Sequence, residues 1–144
     1  MVGGSSQVDD TQWWEHTYSS TSFTWSHSWS VSGDYYNFLS WHYPGGYPQG
    51  TAPGTSTGYY TPNSVVTGDV LFYDWGQGMG ISHMSIQVGI GYDPANPNGQ
   101  VWYGNYVDTH STNRYHAFWS LYPYNAAFRA TTTIYFMHID ASNT

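Results

Sequence analysis

Polar and apolar positions alternate along much of the chain. Between Ser22 and Ser32, the residues Phe23, Trp25, His27, Trp29 and Val31 fall on one side, with Ser or Thr between them. A period of two marks a half-buried strand or extended segment. The next run, Asp34 to Trp41, predicts a short helix. Ser30 or Ser32 stands where a cap is needed, and Asp34 lies near the positive end of the helix dipole. Residues 1–12 are small and polar and read as an extended lead-in. The stretch 43–63 is rich in Gly, Pro and Thr and reads as a long surface loop. Four β-prone runs follow: Asp69–Asp74, His83–Gly91, Val101–Val107 and Thr131–Ile139. Turn residues at Gly76–Gly80 and Asp93–Gly99 separate the first three. Asn113–Leu121 reads as a short helix or turn. Strands joined so closely imply antiparallel pairing. The expected fold is therefore one α+β domain over 1–144, an antiparallel β-meander with one or two short helices.

Composition narrows the function classes. Of 144 residues only 8% are charged, far below the roughly 25% of an ordinary soluble protein. The basic residues are Arg114 and Arg129, there is no lysine, and the formal charge is -7. Nucleic-acid binding needs clustered Lys and Arg, so it is not expected. Attachment to anionic membrane surfaces is excluded on the same ground. The apolar runs are too short for a membrane-spanning helix. An aromatic content of 20% argues against a disordered chain. There is no cysteine, so the chain holds neither a disulfide nor a thiol nucleophile of its own. No cofactor or metal is expected. A lysine-free surface solvated by Ser, Thr and Asn fits a secreted, extracellular protein. The segment Met1–Gln7 lacks the basic and apolar regions of a signal peptide, so either secretion information lies upstream or the protein stays inside the cell.

Candidate chemistry centres on His83. If the hairpin is centred so that Gly91 faces Gln100, counting outward along the strands puts His83 opposite Asp108. A histidine and a carboxylate on neighbouring strands can form the base-and-orienter pair of a nucleophilic hydrolase. A strand-end histidine that is exposed, or bonded to backbone, fits the same pattern.

Gly68-Asp69-Val70-Leu71-Phe72-Tyr73 followed by Ser82-His83-Met84-Ser85-Ile86-Gln87-Val88 resembles the paired strands of papain-like cell-wall hydrolases of the CHAP and NlpC type. The nearer resemblance is to the bacterial putative amidase domain of that superfamily. It extends to Asp74-Trp75, to Asp108-Thr109-His110-Ser111-Thr112-Asn113-Arg114, and to Ser28-Trp29 with Tyr36-Asn37-Phe38-Leu39. The resemblance implies a papain-like fold, here a half or truncated domain. It also implies hydrolysis of peptide or peptidoglycan amides, with His83 catalytic and Asp108 and His110 as its polar companions. In that family the nucleophile is a cysteine in a D-C-T-N-F-x-S-like motif opening an early helix, and this chain has no such motif. Loss of a nucleophile costs on the order of 10⁶ in turnover. The chain is therefore expected to be inactive alone: a fragment, part of a split enzyme, or a pseudoenzyme. An upstream segment, a second chain or a self-associated copy is expected to fill the vacant helix slot.

The remaining histidines and aromatics complete the candidates. Asp108, His110 and His116 with His83 lack the tight spacing of a metal motif. Trp13, Trp14, Trp41, Tyr59 and Tyr60 flank the lead-in and the long loop, where rings are free to stack on a glycan or peptide ligand. Trp25, Trp29, Trp75, Trp102 and Trp119 are expected in the core. The alternative to an amidase-derived module is an aromatic-rich binding or assembly protein for a glycan or protein partner. A closed core, with aromatics clustered away from His83, would mark that alternative.

Overall fold

The computed structural model describes residues 3–7, 11–63, 65–95 and 99–143. Parts of the expected lead-in and of the Asp93–Gly99 turn lie outside these. The strands are β1 (Gly3–Gln7), β2 (Glu15–Ser19), β3 (Ser22–Ser26), β4 (Gly46–Pro53), β5 (Val70–Asp74), β6 (Ile81–Tyr92), β7 (Tyr103–Thr109), β8 (Arg114–Phe118) and β9 (Thr133–Ile139). Between β3 and β4 lie the single turn α1 (His27–Ser30) and the helix α2 (Ser32–Trp41). The architecture is α+β. Strands β4 to β9 form a six-stranded sheet in the order β4-β9-β5-β6-β7-β8, every neighbouring pair antiparallel. Strands β1, β3 and β2 form a separate three-stranded sheet.

The meander is only part of the large sheet. Strands β5 to β8 follow one another as expected, but β9 returns to the far side of β5 and carries β4 on its outer edge. Strand β5 thus sits inside the sheet, and its unbroken apolar run suits burial on both faces. Val70 and Phe72 pack with Met137 and Leu39 under α2. Leu71 and Tyr73 face the opposite way, into a cluster with Ile134, Phe136, Trp119 and Leu121. The large sheet therefore has a helix face and a second face covered by irregular segments around Val65 and 119–132.

Four local expectations change. The 43–63 loop contains β4, an edge strand, where Pro48 is tolerated opposite Met137 beside a register shift. The chain enters β4 through a close crossing over α2, where a Cβ on Gly46 would collide with the Leu39 carbonyl. Asn113–Leu121 is not a helix; it holds β8, whose alternation is broken at His116, a residue with φ of 54°. The alternation from Ser22 to Ser32 is cut at Ser26. There buried Ser26 and Ser28 bond each other, and Ser28 donates to the Gln12 carbonyl, so the serines turn the chain into α1. Trp25 and Trp29 consequently leave the core, Trp29 remaining 47% exposed, whereas Trp102 and Trp119 are buried and Trp75 packs against their cluster. Finally, Ser32 lies inside α2 and Val31 occupies the cap position without a side-chain bond. The first-turn Asp34 is held 3.3 Å from His27.

Asp69 closes the structure between β5 and β9. Its buried carboxylate accepts from the Val66 and Ile139 backbone N–H groups at 2.9 and 3.0 Å and lies 2.8 Å from His138 Nδ1. Removing such an acceptor leaves buried donors unsatisfied. Asp69→Ala is expected to lower the unfolding free energy by about 3 kcal/mol. A urea titration checks this, and Asp34→Ala at the half-exposed His27 pair is expected to cost far less.

Candidate functional site

His83 lies near the start of β6, where its Cα partner on β5 is Tyr73. Paired residues share a sheet face, so the imidazole stands on the second face, beside the rings of Tyr73 and Trp75. The ring centroids are 5.6 and 5.5 Å away, and Tyr73 and Trp75 stack on each other at 5.4 Å. Tyr73 is fully buried, and its hydroxyl reaches Ser85 Oγ at 2.7 Å and the Trp119 carbonyl at 2.9 Å. The imidazole therefore rests against aromatic rings that are themselves fixed.

The polar partner of His83 is Thr109. Its Oγ1 lies 2.6 Å from His83 Nε2, 3.1 Å from the Met84 carbonyl and 3.4 Å from the His110 carbonyl. The hydroxyl has one proton, and both carbonyls can only accept. All contacts are best satisfied when Thr109 donates to a carbonyl and accepts from His83 Nε2–H. That tautomer leaves the lone pair on Nδ1. Partial burial holds the imidazole pKa below its ordinary value, and the positive charges of Arg114 and His110 push the same way. Both effects favour the neutral imidazole.

Asp108 does not face His83. Ile86, not His83, is opposite Asp108, and Gly91 faces Gly104 instead of Gln100. Strand β6 runs on to Tyr92 and β7 starts only at Tyr103, so the hairpin is centred further along than the turn residues suggested. A bulge between Gln87 and Gly89 absorbs one residue, and the remaining odd slip turns Asp108 to the other face. There Asp108 Oδ1 accepts the His116 backbone N–H at 2.8 Å and supports the irregular β7–β8 pairing. Thr109, one residue further along, takes the place expected for Asp108. Strand alternation fixes the face of Thr109 only once the register is known, and the register depends on the bulge.

Two open cavities, of about 430 and 460 Å³, meet at His83, Ser82 and Ser111. The cavity on the helix side is bounded by Val31, Tyr35 and Met84, with Trp13, Trp29 and His110 in its wall. Trp13 and Trp29 are in ring contact at 4.4 Å. The cavity on the second face is more apolar, with Trp75, Met79, Leu121 and Phe128 around Arg114. Of the aromatic candidates, Trp13 lies beside His83. Trp14 packs on His16, Trp41 is exposed at the end of α2, and Tyr59 lines a separate cavity with Trp102 and Tyr122. Tyr60 is exposed and lines neither His83 cavity. Among the described residues, no group of three or more His, Asp or Glu side chains is arranged to hold a metal ion.

The α+β fold thus places one hydrogen-bonded histidine, His83, where two open cavities adjoin. The family described as Putative amidase domain matches residues 1–135, and the chain belongs to that family. No curated protein and no solved structure matches it.

The Thr109 contact has a direct spectroscopic consequence. In wild-type protein the ¹⁵N spectrum of His83 at neutral pH is expected to show the proton on Nε2 and a bare Nδ1. Thr109→Val is expected to give a mixture of tautomers. A wild-type ring protonated on Nδ1 would contradict the assignment.

Proposed function

We propose that this chain is the histidine-bearing part of a papain-like cysteine amidase acting on peptide or peptidoglycan amides, with the thiol supplied from outside these 144 residues. The observation that carries this reading is His83 itself, fixed through Nε2, resting on aromatic rings and open to two adjoining cavities. Nδ1 removes the thiol proton, and the thiolate attacks the amide carbonyl. The resulting imidazolium returns the proton to the departing amine as the acyl thioester forms. Water, activated by the same nitrogen, then releases the acid. Asp108 has no direct part in this reading, and His110 lies in the wall of the helix-side cavity.

The thiol-bearing segment is assigned to the helix side. Ile86 is paired with buried Val70 on that face, yet is 45% exposed. A helix beside α2 would cover it and present a side chain to the cavity of Tyr35, Met84 and His83. Burial at about 25 cal/mol per Å² favours such an occupant, whether an added segment, a second chain or a self-associated copy. The aromatic wall of Trp13 and Trp29 beside His83 supports this reading over a binding protein whose aromatics lie elsewhere. A secreted location suits a cell-wall substrate.

The test is to incubate the pure chain with a peptidoglycan-stem peptide amide, alone and with a synthetic segment carrying the D-C-T-N-F-type helix. No turnover is expected from the chain alone. Turnover is expected with the segment and is lost in His83→Ala. Hydrolysis by the chain alone, abolished by the same substitution, would reveal a nucleophile within the chain and overturn the reading.

A further inference from the structure

The chain has two cations against nine carboxylates, and neither arginine forms a salt bridge among the described residues. Each lies over a tyrosine ring instead, Arg114 over Tyr124 and Arg129 over Tyr122, both at 4.0 Å. Their surroundings differ. Arg114 lines the apolar cavity that opens on His83, with Trp75, Leu121 and Phe128 as neighbours in the wall. Its guanidinium has no carboxylate or side-chain hydrogen-bond partner among the described residues.

Its platform is rigid. The Tyr124 hydroxyl donates to Asp93, whose buried carboxylate also accepts the Phe118 N–H at 2.9 Å and the Ala95 N–H at 3.0 Å. Asp93 is thus engaged by three donors, and it orients the ring without pairing with the arginine. In an overall acidic protein, an unpaired guanidinium held against an apolar wall is a preorganised fork for a planar anion.

We infer that Arg114 forms a carboxylate-binding subsite in the second-face cavity, selecting amide substrates that carry a free carboxylate near the bond presented to His83. This deepens the amidase reading and rests on it for the role of His83. The helix-side cavity is left for the thiol-bearing segment, and this one for the substrate.

Binding can be measured without any nucleophile. The chain is titrated by calorimetry with N-acetyl-alanyl-alanine and with its C-terminal carboxamide, which differ in charge at one group. The acid is expected to bind at least about tenfold more tightly, about 1.4 kcal/mol. Arg114→Gln is expected to bring the acid down to the affinity of the amide, and Arg114→Lys to retain part of the preference, because an ammonium keeps the charge but loses the fork. Circular dichroism shows whether the variants are folded, and the wild-type pair tests the subsite even if they are not. Equal affinities, a preference that survives Arg114→Gln, or no saturable binding of the acid would each overturn the subsite. His83→Ala is expected to keep the preference. If it does while no His83-dependent turnover appears with the cysteine segment, the amidase reading fails and the carboxylate subsite stands. If turnover appears without any acid preference, only the subsite fails.

Discussion

The buried hydroxyl of Tyr73 ties together the three parts of the protein that meet at the site. Through it β5 reaches Ser85 on β6 and the Trp119 carbonyl in the segment that covers the second face. Burial raises the phenol pKa far above its ordinary value, so the group stays a neutral donor throughout the working range. The phenol donates its one proton to the Trp119 carbonyl and accepts from the Ser85 hydroxyl, a geometry met only in a single arrangement of strand, strand and cover. That constraint fixes the floor under His83, because the Tyr73 ring and the stacked Trp75 ring form it.

The two faces of the sheet then take different tasks. On the helix face, α2 buries Val70 and Phe72 but leaves Ile86 partly uncovered beside them. On the second face, Trp119 and Leu121 complete the core and the wall of the cavity that contains Arg114. His83 stands near the start of β6, where both spaces meet. The proposed amidase uses that position to take its nucleophile from one side and its substrate from the other. The low charge content sharpens the consequence: few groups compete for an incoming carboxylate or screen the arginine that would bind it.

Much of this was legible in the residues. The runs Asp69–Asp74 and Thr131–Ile139 are apolar and β-prone, and they became β5 and β9 with only their ends trimmed. Gly68-Asp69 and the histidine strand carried the resemblance to the putative amidase domain, and the match over residues 1–135 agrees with that part of it. The failures have physical causes. Strand β4 hides behind Pro48, Pro53 and two glycines because an edge strand tolerates them. Strand β8 hides behind the left-handed backbone at His116, which destroys the period of two. The His83–Asp108 pairing failed because register depends on where a hairpin is centred and on a bulge, and neither is written in local composition. Asp69 and His138 met across a sequence separation of 69 residues, beyond the reach of any local pattern.

The titration of the His83 ring is the most direct measure of whether the fold prepares a neutral base. Lowered proton affinity in the folded state means that the native protein resists charging this group. Its contribution to stability is present above the unfolded-state value of about 6.5 and is lost as pH falls through the folded one. Two-dimensional NMR of the seven histidines resolves the ring. A His83 midpoint clearly below 6.5 is the expected result. A midpoint at or above it would mean that the ring is solvated or paired with a carboxylate, and would contradict a base held neutral between Tyr73, Trp75 and Thr109.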